Sequence, residues 1–169
     1  MEQLENRLLL AADALEPNDT MAEAVDLGAG DQTHQQLSVH QLDNGDWYQW
    51  TATTGGQLTV EVLFDDVLGN VDLEVYDSDE LVVAESKTTT NDENVSFPVV
   101  AGDSYWIHVF PVGQPLQPDY TLVLDGPGDR FEPNDEFETA ADLGTGDQTH
   151  EHLSIHEPEN VDWYSWTAS

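Results

Sequence analysis

A stretch of 37 residues occurs twice in this chain, and this repeat constrains the fold more than any other feature. Residues 16–52 align with residues 132–168 without a gap, and 23 of the 37 aligned positions are identical. The shared residues include the motifs EPND, GDQTH and DWY. Because the two copies begin 116 residues apart, the repeating unit has the size of a whole domain and exceeds a solenoid repeat of about 20–50 residues.

The repeat divides the chain into three predicted parts. Residues 14–126 are expected to form one complete unit, which is preceded by a segment at residues 1–13. Residues 127–169 are expected to hold a linker and the truncated start of a second unit. The sequence DGPGD at residues 125–129 marks the linker, because closely spaced glycine and proline residues interrupt regular structure.

The charge of the chain excludes several classes of partner. It has 35 acidic and three basic residues, and its formal net charge is -32. A nucleic acid or an anionic membrane surface is not expected as a partner, because either one requires lysine and arginine. Cations are the natural partners, held either at specific Ca²⁺ sites or along a diffuse acidic surface suited to salty surroundings. The chain has no cysteine, and no apolar run approaches the ~20 residues that a membrane span needs.

Alternating apolar residues predict strands throughout the first unit. In the sequence SYWIHVF at residues 104–110, every second side chain suits a core. Strands are expected at residues 47–51, 57–64, 71–77, 80–86, 94–100, 104–110 and 119–125. Short strands separated by turn signals are typical of an antiparallel sandwich or barrel. One short helix is expected at Thr20–Leu27, with Asp19 as its cap and Gly28 just past its end.

The order of these motifs resembles the bacterial pre-peptidase C-terminal domain. EPND, DWYxW, DLEVYD, AGDSYWIHV and YTLVL follow one another over residues 15–124, and the opening third recurs at residues 131–168. The resemblance implies an all-β, antiparallel, jelly-roll-like β-sandwich with at most one short helix near the N-terminus. It also implies a non-catalytic accessory module of a secreted or cell-surface bacterial protein. LENRLLLAAD at residues 4–13 resembles the LEPR-XLL segment of large exported bacterial proteins, which implies a role in export or processing for residues 1–13.

Two motifs group oxygen-bearing side chains that suit Ca²⁺. This ion takes about 6–8 oxygen ligands from carboxylates, amide and backbone carbonyls, and water. EPND and LDNGDW each offer several such oxygens, although neither motif could fill a coordination sphere alone. The resemblance implies ligands at the positions that match the calcium-binding members of the family. These positions are Glu16, Asn18, Asp19, Asp43, Asp46 and the backbone carbonyl of Trp47.

The second copy has its own candidate calcium ligands. They are Glu132, Asn134, Asp135, Glu159 and Asp162. Calcium-binding family members have a further acid two positions before the first glutamate, where this chain has Ala14 and Arg130. We therefore expect one Ca²⁺ per complete unit, with Asp13 as a partial substitute for the missing acid. In so acidic a chain the same motifs also serve as ordinary caps and turns, so the absence of a specific ion site is an open alternative.

The motifs of common enzyme classes do not occur in the sequence. It has no HExxH, no GxSxG, no phosphate-binding glycine loop and no cysteine nucleophile. Histidines of the second copy could share one strand face, but Gln36 stands in the first copy where the second has His152, which argues against a zinc site. We therefore expect this chain not to be an enzyme.

The leading functional hypothesis is a calcium-stabilised module in which the ion ties residues 16–19 to the turn at residues 43–47. One alternative is an adhesion module that grips an extracellular protein or a polysaccharide through exposed aromatic residues such as Trp106 or Phe110. A position of Trp106 on an outer sheet face near Tyr76 would favour this alternative. Further alternatives are the accessory end of a secreted peptidase and a salt-adapted acidic surface without an ion site.

Overall fold

The structure is a computed structural model, and it describes residues 13–39, 45–113, 119–127, 131, 134, 136–150, 153 and 161–168. The segment at residues 1–12 and most of the linker lie outside these ranges. Eleven strands are defined among the described residues. They are β1 (Val25–Asp26), β2 (Gln32–Leu37), β3 (Asp46–Thr51), β4 (Gly56–Leu63), β5 (Asn70–Tyr76), β6 (Val82–Ser86), β7 (Glu93–Val99), β8 (Ser104–Val112), β9 (Tyr120–Asp125), β10 (Ala141–Thr145) and β11 (Tyr164–Thr167).

The first unit is a sandwich of two sheets. The five-stranded sheet has the order β1-β3-β8-β5-β6, and the four-stranded sheet has the order β2-β9-β4-β7. All strand pairs in these two sheets are antiparallel except β1 with β3. The prediction of an all-β, antiparallel sandwich is therefore confirmed.

The core lies between the two sheets and follows the alternation of the sequence. In β8 the buried side chains are Tyr105, Ile107, Val109 and Pro111, and the residues between them are partly exposed on the outer face. The same period of two occurs in β4, β5, β7 and β9, because successive side chains of a strand point to opposite faces. All seven predicted strands are present, with ends that differ by a few residues.

The predicted helix at Thr20–Leu27 is wrong. The structure has a single 3-10 turn at Met21–Glu23, its N-cap residue is Thr20, and Asp19 does not cap it. Val25 and Asp26 instead pair in parallel with Tyr48 and Gln49. Backbone hydrogen bonds to a neighbouring strand replace the helical ones here, since tertiary pairing overrides a weak local propensity.

Two strands of the first unit were missed in the sequence. They are β1, which has only two residues, and β2, which contains four glutamine, threonine or histidine residues before Gln36 and Leu37. β2 lies at the edge of its sheet and pairs with β9. Its outward side chains face solvent, so its sequence lacks the apolar alternation that indicates a strand.

The second copy reproduces the local structure of the first. A 3-10 turn at Phe137–Thr139 is followed by β10, which pairs in parallel with β11 in the same register as β1 with β3. The indole nitrogens of Trp50 and Trp166 both donate 3.0 Å hydrogen bonds, to the carbonyls of Gly30 and Gly146. Their burial differs, however, since Trp50 is 0% exposed and Trp166 is 55% exposed.

No helix in the described part of the chain is long and apolar enough to cross a membrane.

Candidate functional site

The EPND segment of the first unit is attached to the start of β3 by Asn18 and Trp47. The backbone N–H of Trp47 donates to the Asn18 carbonyl at 2.9 Å. The side-chain amide of Asn18 donates to the Trp47 carbonyl at 3.4 Å. Sequence positions 29 residues apart are thus brought together, and the two predicted ligand motifs meet at this point.

The side chain of Asn18 has an unsatisfied oxygen. Asn18 is 1% exposed, and its Oδ1 atom is buried without a hydrogen-bond partner among the described residues. A buried amide oxygen in this state costs roughly 1–3 kcal/mol. Amide oxygens are also typical ligands of Ca²⁺, so this oxygen suits a bound cation.

Residues 13–19, which include the EPND motif, lead into the first unit, and we call them the entry segment. Glu16 accepts a hydrogen bond through Oε2 from the backbone N–H of Asn18 at 3.3 Å. Asp13 accepts from the backbone N–H of Leu15 and from that of Ser38, both at 2.8 Å. Asp13 therefore connects the start of the unit to the end of β2, and Asp19 lies half-buried beside Asn18.

Asp46 lies at the inner side of this entry segment and contacts two tyrosines. It is 2% exposed, and its Oδ2 atom accepts a 2.5 Å hydrogen bond from the Tyr120 hydroxyl and a longer one of 3.5 Å from Tyr48. The two hydroxyls are 2.6 Å apart. Burial and the nearby Asp46 carboxylate raise the pKa of Tyr48 well above its ordinary value, so both phenols stay protonated as donors.

This tyrosine pair was not predicted. The sequence places Tyr120 only within the strand expected at residues 119–125. The signal was nevertheless present, because an inward-facing tyrosine needs a partner for its hydroxyl and a buried carboxylate needs donors. The two tyrosines orient the Asp46 carboxylate from the core side.

The structure describes five of the six predicted ligand positions of the first copy. Glu16, Asn18, Asp19, Asp46 and Trp47 lie along the contact between the entry segment and β3, whereas Asp43 lies outside the described residues. Within the described ranges, no three acidic or histidine side chains converge closely enough to hold a metal. The predicted ligand set differs from such a cluster, because it includes the Asn18 amide, the Trp47 backbone carbonyl and Asp43, which lies outside the described residues.

The second copy shows the same contact between its entry segment and its DWY strand. Trp163 donates its backbone N–H to the Asn134 carbonyl at 2.8 Å, and the Asn134 amide donates to the Trp163 carbonyl at 3.5 Å. Asp162 accepts a 3.0 Å hydrogen bond from Tyr164, the counterpart of Tyr48. The other three predicted ligands, Glu132, Asp135 and Glu159, lie outside the described residues.

A second candidate site covers the outer side of the five-stranded sheet. Gln49, Trp106 and Tyr76 face one another across β3, β8 and β5, and Trp47, His108 and Glu74 form the next row. All six side chains are partly exposed, and we call this surface the outer aromatic face. Trp106 thus lies on an outer face beside Tyr76, which is the arrangement that favours an adhesion module.

Stacked rings fill one end of the outer aromatic face. The His108 ring stacks on Trp47 with a centroid distance of 4.0 Å and on Phe110 at 4.7 Å, and Tyr76 lies 5.3 Å from Trp47. Burial lowers the pKa of His108 to about 4, although Glu74 opposes the shift. His108 is therefore neutral near pH 7.

Glu74 is the polar centre of the outer aromatic face. It accepts a hydrogen bond from the Tyr76 hydroxyl and forms a 2.6 Å ion pair with Lys87. Burial raises the pKa of Glu74, but the hydrogen bonds from Lys87 and Tyr76 outweigh burial and leave it below its ordinary value. Lys87 also pairs with Glu85 at 2.8 Å.

Gly45 connects the two sites. A Cβ atom at this position would collide with the His108 ring and would lie 2.8 Å from the Cβ atom of Phe110. The Gly45 backbone therefore packs directly on the aromatic stack, and only glycine leaves room at this position. The equivalent residue of the second copy is Val161, which is 54% exposed.

The family resemblance is confirmed for the central part of the chain. Residues 44–111 match the family model of the bacterial pre-peptidase C-terminal domain. The match covers β3 to β8 and therefore includes Asp46, Trp47 and most of the outer aromatic face. The comparison with curated proteins found no match.

Several solved structures are similar in fold. The pre-peptidase C-terminal domain of a collagenase from Bacillus anthracis has 16% identity and a TM-score of 0.44, over 60% of this chain and 92% of that one. A family 35 carbohydrate binding module from an environmental isolate has 13% identity and a TM-score of 0.36, over 49% and 66% of the two chains. A family 51 module from Clostridium perfringens, solved with methyl-galactose, has 14% identity and a TM-score of 0.36, over 56% and 85%.

Proposed function

We propose that residues 14–126 form a non-catalytic module that Ca²⁺ stabilises, within a secreted or cell-surface bacterial protein. The observation that carries this proposal is the buried, unsatisfied Oδ1 atom of Asn18 at the contact between the entry segment and β3. The match of residues 44–111 to an accessory-domain family supports a module of this class.

The residues that would hold the ion come from two separate parts of the chain. Glu16, Asn18 and Asp19 belong to the entry segment, while Asp43, Asp46 and the Trp47 carbonyl belong to the start of β3 and the loop before it. The donor set consists of carboxylates, one amide and one carbonyl, which suits a hard cation. Bound Ca²⁺ would supply charge neutralisation and a crosslink between these two segments.

The proposed role of the ion is mechanical. The existing backbone contact between Asn18 and Trp47 already orients the entry segment against the sheet, and the ion would strengthen it. In a chain with two units, the same site in the second copy would stiffen the joint that follows Pro127. The first unit holds the chain up to Pro127, because the Gly126 N–H donates to the Asp31 carboxylate and the Pro127 carbonyl accepts a hydrogen bond from Thr54.

Thermal unfolding of the full chain tests this proposal. Melting is compared in EDTA, in Ca²⁺ and in Mg²⁺ at equal ionic strength, for the wild type and for Asp19→Asn. At a Ca²⁺ concentration of about 100 times Kd, a bound ion adds about 2.7 kcal/mol to the free energy of unfolding. We expect a rise in Tm that is specific to Ca²⁺ and is reduced in the variant.

A matched control uses Asp79→Asn, which removes one charge from an exposed position in the turn between β5 and β6. This control should keep the full response to Ca²⁺. A Tm that depends only on ionic strength would show that the carboxylates act as a diffuse acidic surface. An equal loss of the Ca²⁺-dependent rise in Tm in both variants would show the same.

We also propose a second function, adhesion through the outer aromatic face. The specific observation in its favour is the cross-strand pairing of Trp106 with Tyr76 and Gln49 on the outer side of the sheet. Trp106 is partly exposed, and tryptophan and tyrosine are enriched at binding interfaces because they combine a large apolar ring with a polar group. Its test is the loss of ligand binding in Trp106→Ala with an unchanged Tm.

A further inference from the structure

We propose that the outer aromatic face binds an extended cationic polypeptide, with a lysine or arginine side chain lying on the Trp106 indole next to Glu74. This inference rests on the second function proposed above and names the class of its ligand. It follows from the charges, the ring positions and the one basic side chain on this face.

The charge of the face selects a cation. Asp72, Glu74 and Glu85 all lie on or beside it, along β5 and β6. His108 contributes no positive charge near pH 7, because burial lowers its pKa to about 4. The net charge of -32 adds a long-range field that attracts cationic partners and repels anionic ones.

Lys87 shows that an ammonium group fits this surface. It is the one basic residue among those that the structure describes. Its Nζ atom lies between Glu74 and Glu85, at 2.6 and 2.8 Å, and its side chain is 41% exposed. The Glu85 side chain is 57% exposed, whereas that of Glu74 is 15% exposed. The exposed pair with Glu85 contributes little to stability, so a cation from a partner can take the place of Lys87 at Glu85 and share Glu74.

Trp106 supplies the remaining part of the site. Its ring stacks on no other aromatic residue in the described part of the chain, unlike Trp47, His108 and Phe110. An arginine or lysine side chain on an exposed indole gains a cation–π interaction. No described residue accepts a hydrogen bond from the Trp106 indole N–H, and a carbonyl of an extended peptide is a suitable acceptor.

The outer side of the other sheet differs in chemistry and serves as an internal control. Its exposed or partly exposed residues include Thr33, Thr59 and Thr121, and its outward carboxylate Glu61 accepts a 2.6 Å hydrogen bond from Asn94. No aromatic residue is exposed or partly exposed on β4, β7 or β9. A ligand attracted only by acidic charge would bind both sides alike.

The test measures binding of an eight-residue peptide of alternating arginine and serine by calorimetry at 150 mM salt, with the full chain. The variants are Trp106→Ala, Trp106→Phe and Glu74→Gln, and the control is Glu61→Gln, which removes the same charge from the other sheet. We expect Kd to rise at least tenfold in Trp106→Ala and at least fivefold in Glu74→Gln. In Trp106→Phe and Glu61→Gln we expect it to change less than threefold. Tm is recorded for each variant, so that a folding defect is recognised.

Three results would overturn the inference, and they separate it from the adhesion function. Equal weakening by Glu74→Gln and Glu61→Gln would show attraction by charge alone. Binding of neutral cellohexaose in place of the cationic peptide, lost in Trp106→Ala, would overturn the cationic ligand but keep the adhesion function. Binding of neither probe to the face would overturn both.

Discussion

The Tyr120 hydroxyl donates a 2.5 Å hydrogen bond to Oδ2 of Asp46, across 74 residues of sequence. This bond connects β9 of one sheet to the first residue of β3 in the other. It joins the interior of the sandwich to the residues proposed to bind Ca²⁺. Stability and ion binding are therefore expected to respond together to changes at Tyr120.

Replacement of Tyr120 by phenylalanine tests this connection. The variant leaves the Asp46 carboxylate with one donor fewer in a buried position, which costs about 1–3 kcal/mol. We expect the free energy of unfolding in urea to fall by that amount, with an unchanged m-value. If Asp46 binds Ca²⁺, the Ca²⁺-dependent rise in Tm should shrink as well. A variant as stable as the wild type would contradict the structural role of this bond.

Replacement of Gly45 by alanine tests the packing of this residue on the aromatic stack. The added Cβ atom would collide with His108, and overpacking of this kind typically costs about 1–3 kcal/mol. The double variant with His108→Ala should recover part of that loss, because the clashing ring is removed. Denaturant unfolding of the four proteins in a double-mutant cycle measures the coupling. Additive losses would show that the two positions do not interact.

Acid pH should destabilise the sandwich through His108. Its folded-state pKa of about 4 lies below the ordinary value of about 6.5, so the unfolded chain binds more protons between these values. By linkage, the free energy of unfolding then falls as the pH drops from 6.5 towards 4, by about 2–3 kcal/mol in total. Urea unfolding at several pH values should show that the free energy of unfolding depends less on pH between 6.5 and 4 in His108→Gln than in the wild type. Glu74 contributes only at lower pH, because its own pKa is lowered.

Replacement of Glu93 by glutamine tests a fully buried carboxylate in β7. Glu93 accepts hydrogen bonds from the backbone N–H and the hydroxyl of Thr88, at 2.9 and 2.8 Å, and from Ser86. The glutamine NH₂ group would face these donors without an acceptor, and we expect the free energy of unfolding to fall by about 1–3 kcal/mol. Glu61→Gln, outward on the neighbouring β4, should change stability by less than about 0.5 kcal/mol. The amide hydrogen of Thr88, which donates to Glu93, should exchange faster in Glu93→Gln than in the wild type.

The sequence indicated most of the fold because the period of two determines which face of a strand is buried. The strand prediction from this period is confirmed for β8, where Tyr105, Ile107 and Val109 alternate with outward residues. It failed for β2, whose residues before Leu37 are polar, and for the helix expected at Thr20–Leu27, whose last residues pair with β3. Those two segments depend on neighbours that are distant in sequence.

The candidate site was predictable only in part. The meeting of Asn18 with Trp47 was expected from the family resemblance, since spacing alone does not show which turns come together. The contact of Tyr120 with Asp46 and the packing of Gly45 on His108 were not expected. Both contacts join residues that are distant in sequence, and a local sequence pattern contains no information about them.

The two equivalent tryptophans, Trp50 and Trp166, give this protein an internal optical reference. Their indole hydrogen bonds match, but one ring is enclosed and the other faces water. In a chain whose other three tryptophans, Trp47, Trp106 and Trp163, are replaced by phenylalanine, acrylamide should quench the emission of Trp166 and spare that of Trp50, and Trp166 should emit at the longer wavelength. A ligand or chain segment that comes to cover the second unit would make the two spectra converge, so the fluorescence of that chain would report when the surface is covered.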